Sequence, residues 1–295
     1  MDMKITDNDL PGLYQSADSA SIKEQKKYFN SIIWYLLLLI LASLFAYFAG
    51  DYPDQILKIV STIFFLITLC IMIWQKVSRS DDIWYNGRAV AESVKTRSWR
   101  WMMRAEPYVD CEKVETMRTH FVNDLKTILR QNESLMGRLG IGASVEDPIS
   151  EKMIQVRSLT IEERFNVYKQ ERITNQALWY TKKAKYNKQR ANLWFWITVG
   201  LHASAIILLL YNIKEPELKL PIEVIAAGAS SVLTWLQAKK HNELSSSYSL
   251  TAHEIVLIKS EVTTFNDEFE FSDYIMNCEN AFSREHTQWF ARKNE

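Results

Sequence analysis

The sequence predicts an all-α membrane protein built as two parallel repeats. Each repeat is a transmembrane helical hairpin with long cytoplasmic helices, giving four transmembrane helices. Three observations predict this. Uncharged runs alternate with segments dense in Lys, Arg and Glu. Only 8 glycines and 6 prolines interrupt 295 residues, so helix breakers are sparse. The basic residues flanking the uncharged runs fall on one side of them.

The first uncharged run lies between Lys27 and Asp51, and its most apolar portion is 32–49. As a helix that portion spans ~27 Å, close to a bilayer core of about 30 Å. The second, 59–75, is bounded by Lys58 and Lys76. The third, 191–213, lies between Arg190 and Lys214, and the fourth, 224–238, between Glu223 and Lys239. The fourth is the weakest, because runs this short are often buried soluble helices. Its pairing with the third across "KEPELKLPIE", a linker with two prolines, supports a hairpin. "GDYPDQILK" joins the first pair likewise. A cleaved signal peptide is not expected, since a polar stretch precedes the first run and a second run follows at once.

Orientation follows from the charges. Lys23, Lys26, Lys27, Lys76, Arg79 and Arg88 flank the first hairpin on its open side. Lys182, Lys183, Lys185, Lys188, Arg190, Lys239 and Lys240 do so for the second. The hairpin loops carry only Lys58, Lys214 and Lys219. Both termini and the middle of the chain are therefore expected in the cytoplasm, with both loops outside. Trp34, Trp74, Trp194, Trp196 and Trp235 at the inner ends agree, as do Tyr47, Tyr52 and Tyr211 at the outer ends. Membrane lipids are the first expected partner.

The domain expectation is a first two-span unit at 1–136, a linker at 137–158 and a second two-span unit at 159–295. The linker contains "GRLGIGASVEDPIS", rich in Gly, Ser and Pro. The basic lead-in 182–190 could pair with the acidic stretch 254–282, or both could be solvated faces.

Below the first hairpin, Trp84, Gly87, Ala91, Val94, Ser98, Trp101, Ala105 and Tyr108 recur at alternating spacings of three and four. That is a helix-packing seam, with small residues that let another helix approach. Arg97, Arg100 and Arg104 share an adjacent face about 60° wide. They can form salt bridges with acidic helices, touch lipid headgroups, or hold a phosphate.

In the fourth run, Ala227, Ser230, Ser231, Thr234 and Gln237 are small or polar. Small residues four apart let membrane helices pack closely, and hydroxyls can bond across helices. The same side chains could instead line a pore in a homo-oligomer. His202, in the third run, could join them or bond to Ser231 or Thr234.

No enzyme motif holds up. There is no HExxH and no metal-spaced Cys/His cluster, so no catalytic residue, cofactor or metal site is expected. "GRLGIGAS" follows no apolar strand and is not a dinucleotide loop. Cys70, Cys111 and Cys278 are scattered and make no disulfide framework. Net charge is zero, which argues against nucleic acid as a partner.

"LPGLYQSADSASIKEQKKYF", "AESVKTRSWRWMMRAEPY", "ERITNQALWYTKKAKYNKQRANLWFW" and "NCENAFSREHTQWFARK" together resemble the tandem SLATT family. These are bacterial two-transmembrane effector domains associated with SMODS nucleotidyltransferases and SLOG proteins. The resemblance implies a multi-pass inner-membrane effector of bacterial conflict or anti-phage systems. It further implies switching by a nucleotide second messenger, or by an associated sensor or nucleotidyltransferase, followed by perforation of the membrane. A non-conducting scaffold that recruits a cytoplasmic partner is the alternative. A small-ion channel or transporter ranks third, because no acidic or basic ring occurs inside any span.

Overall fold

The structure, a computed structural model, describes residues 4–51, 55–109, 114–135, 137, 147–261 and 264–293. The glycine- and serine-rich part of the expected linker, 138–146, lies outside the described residues, as do Tyr52, Pro53 and Cys111. Among the described residues every regular element is helical. They are α1 (Gly12–Asp51), α2 (Gln55–Ser78), α3 (Ser80–Met102), α4 (Val114–Gln131), α5 (Glu151–Ser158), α6 (Ile161–Tyr168), α7 (Asn175–Lys214), α8 (Ile222–Lys239), α9 (His241–Glu261) and α10 (Glu268–Lys293). A π-helical turn, Lys169–Thr174, joins α6 to α7.

Three stretches are long and apolar enough to cross a bilayer: Gly12–Gly50, Gln55–Met102 and Ile161–Lys214. They hold the first three expected spans. Ile222–Lys239 falls short of them. Glu223 and Lys239 lie within its ends, and Ser230, Ser231, Thr234 and Gln237 dilute its apolar content.

The two hairpins end alike. Arg79 after α2 and Lys240 after α8 both have left-handed backbone, with φ of 46° and 48°. A residue in that region closes a helix and redirects the chain, here into α3 and into α9.

The chain divides into two compact units. The first comprises Met1–Gln25, Asp81–Ala184 and Ser246–Glu295. The second comprises Lys26–Ser80 and Lys185–Ser245. Each draws on both halves of the sequence.

The first unit has a continuous buried core of large side chains. It includes Trp99, Trp101, Met102, Met103, Tyr108, Phe121, Tyr168, Phe271 and Ile275. Local caps fix its helix starts. Ser150 accepts from the Met153 amide to begin α5. Thr160 and Glu163 form a reciprocal capping box at α6.

The second unit holds both hairpins side by side. Ser61 donates to the Ala42 carbonyl at 2.8 Å, and Gln75 to Ser31 at 2.8 Å, tying α2 to α1. Phe45 packs on Phe64. At the loop end, Tyr47 donates to the Lys219 carbonyl and Lys219 to the Gly50 carbonyl. At the opposite end, Trp235 packs against both Phe29 and Trp194. The loops meet at one end and the inner-end aromatics at the other, so the hairpins run in the same sense. Outward lie large apolar side chains such as Ile59, Leu66, Ile207, Leu210 and Ile213. A contiguous apolar exterior of this extent matches a lipid environment.

Candidate functional site

Two features stand out, one in each unit. The first is the far face of α8. Ser230, Thr234 and Gln237 are exposed along it, at spacings of four and three. The Thr234 hydroxyl donates back to the Ser230 carbonyl at 2.9 Å, so it is satisfied within its own helix. Ala229 and Ser231 face inward and are buried, while Ala227 is half-buried. The buried Ser231 hydroxyl has no hydrogen-bond partner. His202 is exposed on α7, and its Nδ1 lies 2.8 Å from the Thr198 carbonyl one turn earlier. Its hydrogen bond is therefore local and reaches neither Ser231 nor Thr234.

The second feature lies in the first unit, at the end of α3. The seam residues Trp84, Ala91, Val94, Trp101 and Ala105 are all buried. Their neighbour over the early part of α3 is α1. Ser21 donates to the Trp84 carbonyl at 3.0 Å. A Cβ placed on Gly87 would lie 3.1 Å from the Ala17 carbonyl oxygen and 3.2 Å from the Ser21 Cβ. Any side chain there would push α1 away by a few tenths of an ångström, so glycine allows the closest approach. Later along α3, Trp101 and Tyr108 pack on Phe121 of α4.

The three arginines beside the seam have protein partners. Arg97 pairs with Asp124 at 3.3 Å. Arg100 donates to Asn280 Oδ1 at 2.8 Å. Burial lowers the Arg100 pKa, against the opposing pull of Glu279. Arg104, in left-handed backbone, donates to the Arg157 carbonyl at 2.9 Å and lies 3.6 Å from Glu268. The Arg97 and Arg104 pairs are partly exposed, and Arg100 bonds to a neutral amide.

Behind them sits a second arginine set that spacing along α3 does not reveal. Arg157, Arg164 and Arg172 are each at most 3% exposed. Arg157 donates to the Trp101 and Tyr108 carbonyls, and Arg164 to the Met103 carbonyl. Trp101 lies in the last turn of α3, and Met103 and Tyr108 lie beyond its end, where the helix ladder no longer supplies donors and these guanidinium groups do. Arg164 also pairs with Glu268 and lies over the Phe271 ring.

Arg172 grips Glu279 with two parallel bonds, Nε to Oε1 at 2.9 Å and Nη2 to Oε2 at 2.8 Å. Tyr168 and Thr96 donate to the same carboxylate. Burial alone would lower the Arg172 pKa, but Glu279 outweighs it and the guanidinium pKa is raised. Burial, with Glu279 next, pushes the Tyr168 phenol well up. This cluster ties the π-helical turn to α3 and α10. Glu268 and Glu279, from the acidic tail, thus pair with Arg104, Arg164 and Arg172. The sequence signal was present but faint: Arg157, Arg164 and Arg172 recur at intervals of seven and eight.

Two family models match this chain. The model for SMODS and SLOG-associating 2TM effector domain 3 covers residues 11–165. That for SMODS and SLOG-associating 2TM effector domain 1 covers residues 168–289. The chain belongs to the SLATT family. It carries two SLATT domains in tandem, and the junction between the matches falls just before the π-helical turn. Neither the curated proteins nor the solved structures show a match. SLATT domains are associated with conflict and defence effector systems, so the chain is a membrane effector at the level of its family.

Proposed function

We propose that this SLATT protein is a multi-pass effector of the bacterial inner membrane that assembles with copies of itself and perforates the bilayer. Its termini and first unit lie in the cytoplasm, where a nucleotide signal or a partner protein triggers it. The observation that carries this reading is the outward face of α8, where Ser230, Thr234 and Gln237 are exposed beside a single large apolar side chain, Leu233. α8 shares a bundle with three helices apolar enough to span, and 18 residues of helix reach ~27 Å. On a spanning helix, a face of small and polar residues is better placed against protein or water than against lipid. Copies of the chain facing each other across this stripe would enclose a water-accessible path, which needs no charged ring.

The internal partners of Arg97, Arg100 and Arg104 weigh against these residues as the trigger site. They likewise weigh against the arginine–headgroup contact on which a non-conducting scaffold would lean.

Expression with the neighbouring genes, followed by a membrane-potential dye, tests the reading. Depolarisation should precede growth arrest. Arrest with the potential intact would sink perforation. Replacing the outward residues Ser230, Thr234 and Gln237 by Leu should abolish depolarisation while the protein still reaches the membrane, whereas a scaffold would keep working.

A further inference from the structure

The second unit sorts its charges by end. Asp51, Glu215, Glu217 and Glu223 lie in or beside the hairpin loops. At the other end, α1 and α7 enter the unit and α2 and α8 leave it. The sequence there, 26–31, 75–80, 185–190 and 239–245, offers one carboxylate, Glu243, against a belt of lysines and arginines. Lys240 lies 3.9 Å from Glu243. Lys26, Lys76, Lys185, Lys188, Arg190 and Lys239 form no ion pair among the described residues.

Lys239 differs from the rest of the belt in being held. Its ammonium lies 3.3 Å from the centre of the Phe29 ring and 4.8 Å from that of Trp235, and the side chain is half-buried. Ring faces attract a cation but do not neutralise it. Lys240, in left-handed backbone, then turns the chain into α9 and buries His241 at the same corner. The His241 Nδ1 lies 2.8 Å from Asn187 Oδ1 of α7, one turn before Arg190. That bond draws the end of α8 towards Arg190. Burial lowers the His241 pKa, and Lys239 and Arg190 lower it further. The two charges acting on His241 are thus both positive, one from α8 and one from α7.

The corner also borders the apolar exterior. Arg190, Leu193 and Ile197 follow one another along α7 at spacings of three and four, so they share a face. All three are exposed. A soluble anion would need only the cations. Cations that open onto an apolar stripe suit an anion carrying a hydrocarbon chain. Guanidinium and ammonium groups both bind phosphate oxygens, and basic residues beside a span attract anionic lipid.

We infer that Lys239 and Arg190 hold the phosphate of an anionic phospholipid, with an acyl chain along Leu193 and Ile197. The held ammonium of Lys239 makes this a defined site within a belt of otherwise exposed lysines. The inference concerns the second unit alone and stands whether or not α8 lines a conducting path.

The test presents the full chain, purified in a non-ionic detergent, with an equimolar mixture of phosphatidylglycerol and phosphatidylcholine bearing the same acyl chains. Native mass spectrometry counts each lipid retained. Phosphatidylglycerol should be retained in preference. Arg190→Gln, at an exposed site, should cut that preference about fivefold, the weight of one cation near an anionic headgroup. Adding Lys239→Gln should abolish it. Lys185→Gln with Lys188→Gln removes the same charge from the belt and should leave the preference largely unchanged. Equal retention of the two lipids by the native chain overturns the proposal. So does a preference that survives Arg190→Gln, or one that falls equally in the Lys185 and Lys188 pair and so belongs to the whole belt. Displacement of phosphatidylglycerol by inorganic phosphate at constant ionic strength overturns it too, because the site would then take a soluble anion.

Discussion

The two compact units use the same helix type for opposite ends. The first buries its largest side chains and its charges together, as in the Arg172–Glu279 pair, both at most 1% exposed. The second turns its largest apolar residues outward, with Ile207 at 64% and Ile213 at 76% exposed, and keeps hydroxyls such as Ser61 inside. The difference teaches what each is solvated by. Water rewards an apolar core and tolerates buried charge only when it is paired. Lipid offers no such reward for an apolar interior, so hydrogen bonds and close packing hold the helices together.

That contrast can be broken first at Glu279. Glu279→Ala leaves Arg172 buried without its carboxylate, and should cost about 3–5 kcal/mol of first-unit stability. Unfolding of the full chain in detergent, followed by circular dichroism, measures it. The double replacement Arg172→Met with Glu279→Leu should recover most of that loss, because it removes both buried charges.

The mirror-image test lies in the second unit. Ile207→Asp should impair membrane insertion by about 2.5–3.5 kcal/mol, whereas Ile207→Leu should be silent. Glycosylation or protease mapping of insertion distinguishes them. Equal behaviour of the two would place that face away from lipid.

Gly87 sharpens the comparison at a smaller scale. Gly87→Val drives its side chain into Ala17 and Ser21 and should cost about 1–3 kcal/mol. Gly200, on α7, has open space where a Cβ would go, so Gly200→Ala should be tolerated or slightly stabilising. Thermal midpoints of the two variants decide this.

The smallest expected effect is at Asp18, whose pKa burial raises. A carboxyl whose pKa is raised on folding contributes stability that is fully present below its unfolded value and lost as pH rises through its folded value. Asp18→Asn removes that loss. The variant should therefore gain on the native protein at neutral pH, and the gain should vanish at the acidic edge of the carboxylate range. Stability measured across that range checks the sign.

Much of this was legible along the chain because it is local. The alternation of three and four from Trp84 to Tyr108 places the seam, and Gly87 sits at its closest approach. The uncharged runs place three apolar spans. What could not be read is non-local. Arg157, Arg164 and Arg172 are partnered by carbonyls and carboxylates about 50 to 110 positions away, and no periodicity encodes such distances. The interleaving of both halves into two units is likewise a matter of long-range packing. The π-helical turn has no composition of its own. The α8 stripe was legible as polar, but its outward direction was not, since only the packing of Ala229 and Ser231 against the bundle sets it.

The central claim is that the outward face of α8 meets the same face of another copy. Cysteine cross-linking in native membranes tests it most directly, with Cys70, Cys111 and Cys278 replaced by Ala. Thr234→Cys should give a disulfide-linked dimer on mild oxidation, and Ile207→Cys, on the apolar exterior, should not. A dimer at 207 with none at 234 would contradict the account.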